Sequence, residues 1–187
     1  MILWLLFFIF SILLLYFHNR RVISHKNLEK SSKKSLFVIA HPDDECMFFG
    51  PTITYLMKNH VEVNILCFSS GANDMEKRVR KDELYRSCQE LGINQNYVSL
   101  LDSSIFPDNI KTFWPVIDVA AEIENHIFRN GIDTVYTFDE GGVSGHPNHI
   151  SLFRAVRHLL KCSEVATGER TCFFFYLIDT MSTDKAK

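Results

Sequence analysis

The chain of 187 residues has room for one domain and an accessory segment, and 22 acidic against 20 basic side chains give a formal charge of −2. Its basic excess is confined to residues 20–34, leaving about −7 on the remainder, which suits an acidic metal-binding cleft better than a nucleic-acid surface, so no nucleic-acid partner is expected. The five cysteines, Cys46, Cys67, Cys88, Cys162 and Cys172, are odd in number and form no Cys-x-x-Cys pair. They exclude a disulfide framework and a thiolate zinc site and read as reduced packing residues.

Residues Ile2 to Phe17 are apolar apart from Ser11. As a helix they span roughly 25 Å, short for an average bilayer and suited to the thinner endoplasmic reticulum membrane. A cleaved signal peptide has a comparable apolar length. Here, however, no basic residue precedes the run and no Ala-x-Ala-like site follows it, so residues 1–17 read as an uncleaved transmembrane anchor. Residues 18–34 form a basic linker containing Arg20, Arg21, Lys26, Lys30, Lys33 and Lys34 with Glu29 as its one acid. Such a flank stays cytoplasmic, predicting a lumenal N-terminus and a cytosol-facing domain over 35–187, and it suits anionic headgroups.

Beyond the linker, apolar runs alternate with amphipathic ones. Strands are predicted near 36–40, 61–68, 97–101, 134–138 and 172–178, with helices near 45–58, 76–91, 115–128 and 147–161. Strict alternation with short connections specifies an α/β domain: a Rossmann-like, doubly wound, mainly parallel sheet of order 3-2-1-4-5. In that order the first and fourth strands are neighbours, and ligands sit beyond their C-terminal ends, where the winding reverses.

Two motifs fall at those ends. The first strand stops at His41-Pro42-Asp43-Asp44-Glu45, and Gly145-His146-Pro147-Asn148-His149 follows the fourth about a hundred residues later. Crowded carboxylates beside an imidazole resist dehydration unless a cation compensates them. Imidazole with carboxylate suits zinc, or another divalent transition metal, better than magnesium or calcium. A catalytic zinc keeps three protein ligands, and His41, Asp44 and one histidine of the second pair supply such a set. Spacing does not decide which of Asp43 and Asp44 does which job. Pro42 and Pro147 both read as first-turn helix residues, placing the ligands at helix N-termini.

The segments Ala40 to Glu45 and Gly141 to His149 resemble the PIG-L or LmbE-like zinc de-N-acetylases, from about Ser35 to about Leu160. The similarity includes Arg80-Lys81-Asp82-Glu83-Leu84, Leu91-Gly92-Ile93 and Phe106-Pro107-Asp108. Met47-Phe48-Phe49 and Leu66 to Ser69 point to the eukaryotic, membrane-anchored branch. The resemblance implies that His41, Asp44 and His149 bind zinc, that Asp43 is the general base, and that His146 steadies the oxyanion and protonates the leaving amine. It further implies a glycophospholipid substrate, N-acetylglucosaminyl-phosphatidylinositol, hydrolysed at its acetamide during glycosylphosphatidylinositol-anchor synthesis at the endoplasmic reticulum membrane.

Arg80 matches a family arginine near the substrate, for its sugar or phosphate; the alternative is a solvated helix face amid Glu76, Lys77, Arg78, Lys81, Asp82 and Glu83. Asp102 and Asp108 follow the third strand; loop capping is favoured for both over binding of sugar hydroxyls. His18, His25, His60, His126 and His158 lack an acidic partner at ligand spacing and read as surface or packing residues. After Leu160 the similarity fades into one further strand and a polar tail, shorter than the family's usual extent. Two alternatives follow: a hydrolase of a soluble N-acetyl sugar conjugate, and a catalytically silent shortened form.

Overall fold

A computed structural model describes residues 34–71, 74–167 and 174–178, all in the second of the chain's two units, Lys33–Lys187. The expected anchor, the linker up to residue 33, His18, His25, Cys172 and the polar tail lie outside the described residues. Among the described residues, no helix is long and apolar enough to cross a membrane.

One parallel sheet organises these residues. Its strands are β1 (Lys34–Ile39), β2 (Glu62–Cys67), β3 (Val98–Leu100), β4 (Thr134–Phe138) and β5 (Phe174–Ile178), in the order β3-β2-β1-β4-β5. After Lys34 and Ser35, central β1 is apolar without interruption because it is covered on both faces, and Leu36 to Ala40 expose no surface. Register aligns Phe37 with Ile65 on β2 and with Tyr136 on β4. The Phe37 ring stacks on Tyr136 at 4.6 Å and meets Phe49 edge-on at 5.4 Å. Burying a side chain of this size stabilises by roughly 1.5–3 kcal/mol.

The helices are α1 (Asp44–Met47), α2 (Gly50–Lys58), α3 (Asp74–Glu90), α4 (Val116–Asn130), the single turn α5 (Gly142–Gly145) and α6 (Pro147–Thr167). A 3-10 turn, Gln95–Tyr97, precedes β3. Right-handed crossovers place α1 to α3 on one face of this strand order and α4 with α6 on the other. Along α4, Val119, Ala120, Ile123 and Ile127 form its buried stripe. The helix stops at Gly131, whose φ of 62° is a left-handed cap and whose N–H donates to the Ile127 carbonyl.

Two expectations are corrected. The single helix predicted over 45–58 is two, because Pro51 has no N–H and its ring would strike the carbonyl four residues back. Pro147 opens α6, but Pro42 lies before the N-cap of α1, in a turn whose next residue, Asp43, has φ 106°. With only four residues, α1 contributes little dipole to the first motif.

A long loop, 101–115, connects β3 to α4. It is pinned by Phe106 and Trp114, which pack on Phe68 at 5.0 and 5.7 Å. The Trp114 indole N–H donates to the Pro107 carbonyl (2.9 Å), and its backbone N–H to Ser151 Oγ (2.9 Å). These anchors carry Asp108 back over the C-terminal ends of the central strands.

Candidate active site

The site begins where β1 runs out of sheet partners. The backbone N–H groups of Ala40 and His41 both donate to Asp44 Oδ2 at 2.9 Å, which fixes this carboxylate under the strand end. Asp44 is buried, and its other oxygen faces His149 Nε2 at 3.4 Å. His149 comes from the first turn of α6, and its ring lies flat on Phe138 at 3.9 Å. Its Nδ1 sits 3.1 Å from the Gly142 carbonyl. A carbonyl only accepts, so Nδ1 carries the proton and Nε2 presents a lone pair. That Nε2 is buried and has no hydrogen-bond partner, which is costly unless a cation takes the lone pair.

Gly142 makes this arrangement possible. Its φ is 58°, and a Cβ there would stand 2.8 Å from Ile150 Cγ1 and 3.0 Å from the Ile150 backbone nitrogen. A side chain would push α5 away from the turn that carries His149.

His41 completes the group. Its Nε2 lies 3.1 Å from Asn148 Oδ1 and 3.2 Å from Asp108 Oδ1. Asn148 Nδ2 donates to the Thr112 carbonyl, and Asn148 Oδ1 accepts from the Asn109 N–H, so the amide is oriented with its oxygen toward His41. His41 Nε2 is therefore the protonated nitrogen, leaving Nδ1 available to a metal in the neutral ring. Burial lowers the His41 pKa, but the hydrogen bond to Asp108 and the charges of Asp44 and Asp108 outweigh it, and the net shift is upward. Asp108 is held below the usual carboxylate range by the same hydrogen bond, against its own burial.

Ligand-capable atoms of His41, Asp44 and His149, all buried, lie within 4.8 Å of one another, and so do those of His41, Asp108 and His146. The two sets share His41. The first uses the unpartnered His149 nitrogen and leaves Asp108 to orient His41, the usual outer-sphere arrangement of a metal-bound histidine. It fits a metal better than the second, in which Asp108 is already engaged by His41 and Arg80.

Asp43 and His146 flank this group. The left-handed Asp43 backbone is held by its N–H donating to Glu45 Oε2 (3.0 Å), while buried Glu45 also accepts from Ser87 on α3. Asp43 itself stays half-exposed. Partial burial and the neighbouring Asp44 carboxylate raise its pKa, with Arg80 opposing. His146 Nδ1 accepts from the Asn148 N–H (3.2 Å), so its neutral form carries the proton on Nε2. Burial, then His41 and His149, lower its pKa.

Arg80 reaches in from α3. Its guanidinium donates to the Pro42 carbonyl (3.0 Å) and faces Asp43 at 3.5 Å and Asp108 at 3.6 Å. Gly71, with φ 117°, lets it pass: a Cβ there would stand 2.9 Å from Arg80 Nη1. The solvated-face alternative for Arg80 is thereby set aside.

Asp108 is a correction. The sequence favours loop capping, yet the carboxylate joins His41 to Arg80 at the centre of the site. Asp102 does tie loops, accepting from Ser70 Oγ at 2.6 Å. Asn148 and Glu45 were also missed as supports, although Asn148 lies between the two motif histidines. His60, His126 and His158 belong to neither ligand set. Of the cysteines, Cys67 and Cys88 are buried packing residues as read, whereas Cys46 and Cys162 are exposed.

A parallel α/β sheet bearing a buried His-Asp-His group over its central strands defines the class: an α/β protein with a candidate metal site. The family model described as PIG-L: GlcNAc-PI de-N-acetylase matches residues 36–160, and the chain belongs to this family. It is 44% identical over 132 residues to the N-acetylglucosaminyl-phosphatidylinositol de-N-acetylase of Bos taurus, covering 71% of this chain and 52% of that one. It is 42% identical over 129 residues to the Probable N-acetylglucosaminyl-phosphatidylinositol de-N-acetylase of Dictyostelium discoideum, covering 69% and 50%. The chain thus spans about half the length of these curated relatives. Among solved structures, the N,N'-diacetylchitobiose deacetylase from Pyrococcus horikoshii superposes with a TM-score of 0.62 at 23% identity, covering 75% of this chain and 54% of that one. That likeness concerns the fold.

Proposed function

We propose that the chain is a metal-dependent hydrolase that removes the acetyl group from N-acetylglucosaminyl-phosphatidylinositol. The observation that carries this reading is the buried, unpartnered His149 Nε2 facing Asp44, with Asp43 half-exposed beside them. Relatives named for this activity support the substrate. His41, Asp44 and His149 would hold the ion, and two imidazoles with one carboxylate suit zinc. When bound, zinc supplies Lewis acidity and a water whose pKa is lowered toward neutrality.

The remaining work belongs to the side chains. Asp43, half-exposed beside the ligand group, takes the proton of the attacking water. His146 offers its Nε2–H to the developing oxyanion, and the proton taken by Asp43 passes to the leaving amine. Arg80 holds Asp43 and Asp108 in register by charge and through the Pro42 carbonyl. Acetate departs and the glucosamine amine stays on the lipid.

The apolar run at 2–17 serves as the anchor, residues 18–34 as the basic linker and 35–187 as the catalytic domain, facing the cytosol at the endoplasmic reticulum membrane. Conversion of N-acetylglucosaminyl-phosphatidylinositol by membranes carrying this chain, in a host without its own enzyme, tests the reading. Conversion by the parent and none by His149→Ala is expected. No conversion by folded, membrane-inserted parent overturns it.

A further inference from the structure

Arg80 already donates to Pro42 and faces Asp43 and Asp108, and further cations stand beside it on α3 for the substrate's phosphate. One helical turn away along α3, Lys77, Arg78 and Lys81 line a cavity of about 430 Å³, together with Ser70 and Asp102. Asp102 is fixed there by Ser70 Oγ (2.6 Å) and faces Lys77 Nζ at 3.5 Å. Three cations against one carboxylate leave the lining cationic, beside hydroxyl and carboxylate oxygens that suit a polyol.

The cavity is adjacent to the reaction centre. The loop carrying Ser70 is tied to the first motif by the Ser69 N–H donating to the Ala40 carbonyl (2.9 Å), one residue before His41. Lys77 and Arg80 are three residues apart, about 4.5 Å of helix rise, on neighbouring positions of one face. A substrate with its acetamide at Asp43 and its next ring on this side would bring that ring's phosphate to the cationic lining.

We infer that the cavity is a phosphoinositol subsite, in which Lys77, Arg78 and Lys81 hold the phosphodiester and Asp102 accepts from inositol hydroxyls; this rests on the function proposed above. Lysines act there as point charges and the arginine as a planar fork for phosphate oxygens.

The test uses the full chain in detergent micelles, as parent, Arg78→Ala/Lys81→Ala and Lys77→Ala, each checked for an unchanged melting temperature. Calorimetry measures binding of myo-inositol 1-phosphate, with inorganic phosphate and myo-inositol alongside. Kinetics compare N-acetylglucosaminyl-phosphatidylinositol with phosphate-free N-acetylglucosaminyl-inositol. The double variant is expected to lose about tenfold in myo-inositol 1-phosphate affinity and to raise KM about tenfold for the phosphate-bearing substrate. Its kcat and its KM for the phosphate-free substrate stay at the parent values. Absence of myo-inositol 1-phosphate binding to the parent, equal binding to parent and double variant, or equal losses on both substrates overturns the subsite. Inorganic phosphate binding as tightly as myo-inositol 1-phosphate overturns its inositol half. If the parent hydrolyses neither substrate while the variants lose myo-inositol 1-phosphate, the function fails and the subsite stands.

Discussion

At the scale of single residues, the site separates two adjacent aspartates by geometry. Asp44 is turned inward by two backbone N–H donors and meets His149, whereas Asp43, on a left-handed backbone, stays half-exposed and reaches Arg80. Asp43→Asn should keep the metal, measured by elemental analysis, and lose about a hundredfold or more in kcat/KM. A base works deprotonated, so activity disappears as pH falls through its pKa. The parent should therefore show an acid limb in kcat/KM, and the residual activity of Asp43→Asn should lack it. An acid limb kept unchanged in Asp43→Asn would remove Asp43 from the role.

At the scale of elements, the site depends on the join between α5 and α6. Val143 has φ 62° inside the short turn, and Gly142 before it packs against Ile150 and the His149 Cβ. Gly142→Ala adds a side chain where both the backbone conformation and the space forbid one. A loss of about 1–3 kcal/mol, read from the urea midpoint, is expected, together with weaker metal binding. Unchanged stability would mean that the turn adapts without moving α6. Asn148 matters at the same scale, since it joins the loop 101–115 to α6 through Thr112 and Asn109 while orienting His41.

At the scale of the whole molecule, the Asp108 and His41 pair links the long loop to the central strand, so its titration enters global stability. Asp108 has a lowered folded pKa, and its stabilising share is present above the unfolded value and lost as pH falls through the lowered one. His41 has a raised folded pKa, and its share is full below the unfolded value and lost as pH rises through the raised one. Metal-free protein should therefore draw full benefit from the pair between about pH 4 and about pH 6.5. Urea midpoints across pH in the presence of a chelator measure this, and Asp108→Asn should flatten both edges. A parent profile that stays flat on both sides of that window would dismiss the coupling.

Much of this was legible in the residues themselves. Strand and helix runs, and the two histidine motifs that meet as a candidate metal site, follow from local pattern and donor chemistry. What local pattern could not reach was decided by packing between distant segments. Nothing near Asp108 in sequence distinguishes a capping aspartate from one that orients a histidine. Its place depends on Phe106 and Trp114 burying against Phe68 and drawing the loop across the strand ends. The same holds for Arg80, whose helix is predominantly solvated and whose inward path depends on the open backbone at Gly71. The sequence determined which chemistry was available because ligand types and their spacing are local properties. Only the tertiary structure decided which atoms meet, because those contacts join residues separated by tens of positions along the chain.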